Sequence, residues 1–420
     1  MTARREGRWL MLENVLANYA YVGLMAGVTL FLTPLYVKRL GPEQWGAVAL
    51  CMTVQGLLLL LDAGLGQVTP REFALRRDDR PGQWLLFVQI LRIYGGVALA
   101  VLVFGQGLAG WLVPRFSAGA GDDAIWAVRL VVCQFVLSFV NSAPTGLWGG
   151  LMQQRRANVR LAGFMALKHG LALLLVFNWH ATAWAYLLPF AVIGCIELAA
   201  NLLTVRHEFS DVRSLAPASA AAGPANLLGK IGGFGAAVLV GMMTTQIDRA
   251  LLASRLHLTE FGVYALVANF ALAFMNLQIP LQKAFLPRVV SHGGRSANQL
   301  LYAVLVMCVL PCALASMFST QVLTLWLHDA AIAEKGAPVF SLVLLGVALN
   351  GIYGAYYTRL VASNAWRYIL MTNVLILIAQ AVVLFWGVPS IGMLAGGWSW
   401  LVCGAMQCML GRAYFWRRSS

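Results

Sequence analysis

The stretch Trp84-Leu-Leu-Phe-Val-Gln-Ile-Leu-Arg-Ile-Tyr-Gly-Gly-Val-Ala-Leu-Ala-Val-Leu-Val-Phe-Gly-Gln106 contains one charged residue in 23 positions. A helix needs about 20 apolar residues to cross the hydrocarbon core of a bilayer. This stretch is therefore typical of a membrane-spanning helix. Its single charge, Arg92, lies about eight residues inside the run, where a charged side chain is costly unless it is paired or hydrated.

The composition of the 420-residue chain extends this conclusion to the whole sequence. Apolar residues make up 60% and charged residues 11%, against roughly 45–50% and 25% in soluble domains. A soluble protein with so few charges could not cover its surface. The net charge of +14 does not indicate nucleic-acid binding here, because the basic residues lie in short loops between apolar runs. The seven cysteines lie in apolar stretches without a C-x-x-C pair, so neither disulfides nor zinc are indicated.

Twelve apolar stretches are long enough to cross the membrane, and we predict an all-α polytopic protein. The spans lie near 15–37, 46–66, 84–106, 125–148, 161–178, 183–204, 231–253, 261–284, 299–321, 338–358, 367–387 and 391–411. We expect the last two spans to be joined by a tight turn at Pro389. With the N-terminus inside, the inner segments hold 21 basic residues and the outer loops hold 5. This bias predicts that both termini are cytoplasmic.

An internal repeat divides the spans into two sets of six. The turn Leu40–Leu50, which reads LGPEQWGAVAL, is echoed by Leu256–Leu266, which reads LHLTEFGVYAL, and Asn141 is echoed by Asn350. Six spans per half make the repeats parallel, related by a pseudo-two-fold axis along the membrane normal, and such repeats typically enclose a substrate site. We predict a six-helix bundle over 1–206, a cytoplasmic linker over 207–226 and a second bundle over 227–420. Chance similarity between apolar helices is the alternative.

The motifs around the first turn resemble a known family. Span one ends in Pro34-Leu-Tyr-Val-Lys-Arg-Leu-Gly-Pro-Glu-Gln-Trp-Gly46, and span two ends in Asp62-Ala-Gly-Leu-Gly-Gln-Val-Thr-Pro-Arg-Glu-Phe-Ala74. These stretches look like the Wzx-type polysaccharide and O-antigen flippases of the MATE/MOP flippase superfamily. Asp248 and the Gly-Val-Tyr that opens span eight also match that family, whereas His257 replaces a usual glycine.

The resemblance implies a flippase that works by alternating access in the bacterial inner membrane. It would move undecaprenyl-pyrophosphate-linked oligosaccharide units from the cytoplasmic to the periplasmic leaflet, for O-antigen, capsule or exopolysaccharide biosynthesis. Expected partners are this lipid-linked glycan, membrane lipids, a polysaccharide polymerase and a chain-length regulator. No cofactor is expected, although uphill transport would need H⁺ or Na⁺ coupling.

The charged residues inside the spans are the candidate site residues. A pyrophosphate needs cations to replace its hydration, and we predict substrate binding by Arg92, Lys168, Arg249 and Arg129. Pairing of Lys168 with Glu197, and snorkelling of Arg129 to the interface, are the structural alternatives. For coupling or gating we predict Glu197, Asp248 and Asp62, with a helix-end or packing role as the alternative for Asp62.

Two other functions are compatible with a chain of this kind. A MATE-like antiporter of organic cations would need an acidic cavity, whereas the interior charges here are balanced to cationic. A membrane glycosyltransferase or polymerase usually has sizeable outer loops with acidic catalytic residues. The chain has no P-loop and no histidine pattern with metal-ligand spacing, so we expect a transporter without enzymatic activity and without a metal site.

Overall fold

The structure is a computed structural model, and it describes residues 23–24, 26–62, 65–116, 122–212, 232–278, 281–282, 285, 289, 294–363 and 365–419. These residues are helical almost throughout, and no β-strand occurs among them. They form two compact units. The N-terminal unit comprises the described residues of Met1–Gln44, Val54–Pro114 and Ala120–Gly232. The C-terminal unit comprises those of Trp45–Thr53, Arg115–Gly119 and Gly233–Ser420. Most of the predicted linker over 207–226 lies outside the described residues.

In the described N-terminal part of the chain there are six α-helices. They are α1 Thr33–Leu58, α2 Leu65–Ala74, α3 Arg80–Phe116, α4 Asp122–Gly150, α5 Gln154–Asn178 and α6 Ala183–Glu208. A π-helical turn, Val28–Leu32, precedes α1, and a 3₁₀ turn, Leu59–Asp62, follows it. The core of this unit is aromatic: the Tyr94 and Phe139 rings meet edge to face at 4.6 Å, and Phe139 stacks on Phe135 at 5.2 Å.

Among the described residues, the C-terminal part contains nine α-helices. They are α7 Gly232–Thr244, α8 Ile247–Ala253, α9 Leu258–Ala273, α10 Gly294–Val304, α11 Leu310–Met317, α12 Ser319–Leu327, α13 Ala330–Ala362, α14 Trp366–Ile391 and α15 Leu394–Ser419. A 3₁₀ turn, Phe274–Leu277, follows α9, and a π-helical turn, Leu305–Val309, joins α10 to α11. The Phe270 ring stacks between Trp326 at 4.1 Å and Phe340 at 5.4 Å in the core of this unit.

Described helices lie at the predicted spans, although residues 15–22 and 25 of the first span lie outside the described residues. In the part of the chain that the structure describes, nine helical segments are long and apolar enough to cross a membrane. One of them, Val28–Asp62, is broken at Gly41 and overlaps the first two predicted spans. The tandem α7 and α8 and the glycine-rich α15 occupy the remaining two predicted positions. Predicted boundaries differ by several residues; the fifth span, for example, was predicted to begin near 161, whereas α5 begins at Gln154.

The break in α1 has a simple backbone cause. Gly41 has φ +74° and ψ 169°, a conformation that glycine adopts without a steric penalty. Pro42 then opens the second arm of the helix, where its missing N–H is not needed. This second arm packs in the C-terminal unit, since a methyl group at Gly46 would lie 2.1 Å from the carbonyl oxygen of Leu258. The first turns after the two repeated loops are therefore in direct contact.

The predicted position of the turn between the last two spans is wrong. We predicted that it lies at Pro389, but Pro389 lies inside α14 and the helix continues to Ile391. The chain reverses at Gly392, which has φ +56°. Proline removes one hydrogen bond and can kink a helix, but two further helical residues follow Pro389, whereas a positive φ favours glycine. The glycine, rather than the proline, ends this helix.

Candidate functional site

Three helices of the N-terminal unit bring five polar side chains into one chain of hydrogen bonds. We call it the N-terminal polar network, and its members in order are Lys168, Glu197, Asn141, Asn201 and Arg160. The Lys168 Nζ donates to Glu197 Oε2 at 2.6 Å, and Asn141 Nδ2 donates to Glu197 Oε1 at 3.0 Å. Asn201 Nδ2 donates to Asn141 Oδ1 at 2.7 Å, and Arg160 Nε donates to Asn201 Oδ1 at 2.7 Å.

The ion pair of the network lies deep within the membrane-spanning helices, whereas Arg160 lies near the start of α5. Lys168 is 14 residues after the start of α5 and 10 before its end, or about 15–21 Å from either end at 1.5 Å per residue. Glu197 is 4% exposed, and the Lys168 side chain is 14% exposed. Two positive charges and one negative charge leave the network with a net charge of +1. Such intramembrane charges are expensive and mark functional sites by default.

An aromatic and charged cluster extends the network along α4, α5 and α6. The guanidinium groups of Arg156 and Arg160 lie 5.3 and 5.6 Å from the ring centre of Trp148. The Trp148 indole N–H donates to Glu208 at 3.3 Å, and Arg156 also pairs with Glu208. Arg160 therefore lies between a buried amide and a π-face, with no carboxylate partner among the described residues.

The other predicted N-terminal residues do not join this network. Arg92 is exposed on α3, and no described side chain binds it. Arg129 is half-buried on α4, with its guanidinium 4.9 Å from the Trp126 ring centre. Asp62 accepts hydrogen bonds from the Tyr94 hydroxyl at 3.2 Å and from the Gly66 N–H at 3.1 Å, contacts that fix the entry into α2.

Asp248 of the C-terminal unit is fully buried at the start of α8. Its Oδ2 accepts hydrogen bonds from the Tyr264 hydroxyl and, at 3.0 Å, from the Trp400 indole N–H. Its Oδ1 has no partner among the described residues. The neighbouring Arg249 donates to Asn269 Oδ1 at 2.6 Å. The carboxylate thus links three helices of its unit through neutral donors.

The repeated asparagines occupy comparable places in their units. Asn141 of α4 bonds to Asn201 of α6, and Asn350 of α13 donates to Gln407 of α15 at 2.8 Å. Gln278 donates to the Asn350 Oδ1 at 2.7 Å. In the N-terminal unit the hydrogen-bond partners around Asn141 include charged side chains, whereas in the C-terminal unit the partners of Asn350 are neutral amides. Each asparagine thus joins the helix of the fourth predicted span in its half to the helix of the sixth.

The N-terminal polar network contains two of the predicted site residues and three residues that were not predicted. Lys168 and Glu197 form the ion pair that was the structural alternative to substrate binding by Lys168. Their role in transport remains a prediction. The added residues are Asn141, Asn201 and Arg160. Asn201 follows Glu197 by four residues, a spacing that places both on one face of a helix and could have indicated the network. No group of three or more metal-ligating side chains occurs among the residues that the structure describes.

No profile of a known protein family matches the chain. A protein of Shigella flexneri named "Putative O-antigen transporter" is 19% identical over 388 residues, which cover 89% of this chain and 90% of that protein.

Solved structures reproduce the fold over most of the chain. The lipid II flippase MurJ, in an inward closed conformation, superimposes with a TM-score of 0.74 at 9% identity, covering 96% of this chain and 87% of that one. An inward-facing multidrug resistance MATE family transporter of the MOP superfamily gives a TM-score of 0.69 at 16% identity, covering 95% and 93%. The resemblance indicated by the motifs is thereby confirmed, and the chain is a multi-pass membrane protein with the fold of the MATE/MOP flippase superfamily.

Proposed function

We propose that this chain is a flippase for lipid-linked oligosaccharides. It moves undecaprenyl-pyrophosphate-linked units from the cytoplasmic to the periplasmic leaflet of the bacterial inner membrane by alternating access. The name of the Shigella flexneri relative supports an O-antigen unit as cargo, and the MurJ-like fold supports movement of a lipid-linked precursor. A transport role also agrees with the buried polar groups, which connect helices rather than forming a catalytic constellation.

The N-terminal polar network is the observation that carries this proposal. Its net positive charge comes from Arg160, six residues after the start of α5 and near the predicted cytoplasmic edge, where a guanidinium can bind an anionic headgroup. Arg160 is held by Asn201 and Trp148 but has no carboxylate among the described residues. Arg92 likewise has no described partner. A pyrophosphate diester is an anion suited to such arginine donors.

A cation-expelling antiporter is the weaker candidate for the same fold. Glu197, the buried acid of the N-terminal polar network, is neutralised by Lys168 at 2.6 Å. An organic cation would therefore meet a site that already contains two positive charges. The predicted roles of Arg129 and Arg249 at the pyrophosphate belong to the proposal as well.

Coupling is the second part of the proposal. Asp248 is the described acid that is buried without a cationic partner, so it is the carboxylate that H⁺ or Na⁺ can neutralise without displacing a protein cation. Transport by Asp248→Asn protein in proteoliposomes, with and without an imposed ion gradient, tests this assignment. Transport that keeps its full gradient dependence would exclude Asp248 as the coupling residue.

A clean deletion with complementation tests the flippase role. We expect the deletion strain to lose surface polysaccharide and to retain lipid-linked repeat units in the cytoplasmic leaflet. Complementation by the wild-type gene and by Arg206→Gln, a change at an exposed residue, should restore export. Arg160→Gln should not restore it at equal protein level, because the unpaired cation is lost.

The outcomes separate the two functions. Intact surface glycan in the deletion strain would refute the flippase role. Increased sensitivity of that strain to cationic drugs, with glycan export intact, would instead favour the antiporter.

A further inference from the structure

A separate cavity lies entirely within the C-terminal unit. Its volume is about 380 Å³, within the range of about 300–1,000 Å³ of small-molecule sites. It lies among α7, α13, α14, α15 and the segment that follows α9. The described residues that line it include no charged side chain. The cavity thus differs in chemistry from the charged network of the N-terminal unit.

Four amides follow one another along the cavity wall, and we call them the C-terminal amide chain. Gln282 Nε2 donates to Gln278 Oε1 at 3.2 Å, and Gln278 Nε2 donates to Asn350 Oδ1 at 2.7 Å. Asn350 Nδ2 donates to Gln407 Oε1 at 2.8 Å. Each amide has both a donor and an acceptor. The chain therefore ends in one amide oxygen and one NH₂ group that can still bond to a ligand.

A small residue makes room for these amides. A methyl group at Gly354 would lie 2.3 Å from Gln282 Nε2 and 3.0 Å from Gln278 Oε1. Any side chain at this position of α13 would push the two amides from their places. Glycine here therefore keeps a polar surface open, although glycine lowers the stability of a helix interior.

An unpartnered hydroxyl group provides a second, independent indication of a ligand. Tyr353 lines the cavity and is 6% exposed, and its hydroxyl group has no hydrogen-bond partner among the described residues. A buried hydroxyl without a partner is unfavourable. A ligand hydroxyl that bonds to it would remove this penalty. The rings of Tyr357 and Trp366 also line the cavity and offer flat apolar surfaces.

We infer that this cavity binds an uncharged sugar residue of the transported glycan, an inference that rests on the proposed flippase function. Sugar hydroxyl groups donate and accept hydrogen bonds, as the amide chain does, and the C–H faces of a pyranose ring pack on aromatic rings. A pyrophosphate would find no countercharge among the described lining residues, and an unpaired buried charge is costly. The cavity therefore selects a neutral polyol over an anion.

Binding of the free glycan tests this inference apart from transport. The probe is the neutral oligosaccharide released by mild acid from the host's own lipid-linked units, and it is titrated into the purified full chain in nanodiscs. Gln278→Leu should weaken its binding about tenfold, equivalent to about 1.4 kcal/mol. Tyr353→Phe should also weaken it, without lowering Tm, because the deleted hydroxyl has no hydrogen-bond partner among the described residues. Tyr353→Phe thus keeps the test valid if Gln278→Leu does not fold.

Gln380→Leu is the matched control. Gln380 is fully buried in α14, lies outside the cavity, and has no partner for either amide atom among the described residues. This variant should bind the oligosaccharide as the wild type does. Wild-type affinity in both Gln278→Leu and Tyr353→Phe would overturn the sugar site. That result would leave the flippase role intact if the wild-type gene still restores glycan export to the deletion strain.

Discussion

At the scale of the residue, the ion pair between Lys168 and Glu197 determines the cost of disturbing the N-terminal polar network. Glu197→Ala would leave the Lys168 ammonium buried without its carboxylate and would remove the acceptor of Asn141. Loss of one partner of a buried pair typically costs about 3–5 kcal/mol. We expect a clear drop in Tm for the purified protein, measured by its tryptophan fluorescence.

The pair between Arg80 and Asp211 supplies the control for this prediction. Its N–O distance is 2.9 Å, but its side chains are 54% and 58% exposed. Exposed pairs contribute about 0–1 kcal/mol, so Asp211→Ala should change Tm little. Equal shifts in the two variants would show that Glu197 is not held in the buried pair.

The residues of the network were only partly predictable from the sequence. Lys168 and Glu197 are conspicuous, because charges are rare in apolar spans. Arg160 is not conspicuous, because it follows Arg155 and Arg156 at the predicted inner edge and resembles a residue that sets topology. Its hydrogen bond to Asn201 on another helix depends on how α5 and α6 pack. Apolar periodicity does not encode that packing when all faces of a helix are apolar.

At the scale of the element, glycine positions determine how closely α13 and α15 approach. Gly397, Gly404 and Gly411 recur every seven residues along α15 and face α13. A methyl group at Gly404 would lie 2.6 Å from the Gly346 carbonyl oxygen. Small residues allow such close backbone approach in membrane proteins, where van der Waals packing drives helix association.

Gly404→Leu should therefore separate α13 from α15. Overpacking typically costs about 1–3 kcal/mol, and the displaced helices would also lose the bond between Asn350 and Gln407. We expect a lower Tm and less folded protein by size-exclusion chromatography. Gly163→Leu on α5 is the control, since a methyl group there meets no atom within 4 Å. A stable Gly404→Leu protein would contradict the close approach.

Element positions were more predictable than element ends. Length and apolarity placed the spans that the structure describes, because a bilayer requires about 20 residues per helix. The ends depend on single backbone conformations, such as the positive φ of Gly392. We placed this end at Pro389 because proline often ends a helix. The break of the seventh span into α7 and α8 at Thr245 and Gln246 was not predicted either, since hydropathy remains high across it.

At the scale of the whole molecule, the two units differ in charge at comparable positions. Asn141 belongs to a network with a net positive charge, whereas Asn350 belongs to a chain of neutral amides. A lipid-linked glycan has the same two chemistries, an anionic pyrophosphate and neutral sugars. The repeat thus supplies two similar polar positions, and the sequence differences between the halves give each one its own chemistry.

The orientation of the chain in the membrane is the property on which directional transport depends. The predicted inner segments contain 21 basic residues against 5 in the outer loops, so the loop between α2 and α3 should face the cytoplasm. We expect Asp78→Cys, in a chain without its seven native cysteines, to react with an impermeant maleimide only after the inner membrane is opened. Ala330→Cys, at the start of α13, should react from the periplasm. The reverse pattern would place both termini outside and would require the opposite direction of transport from the one proposed.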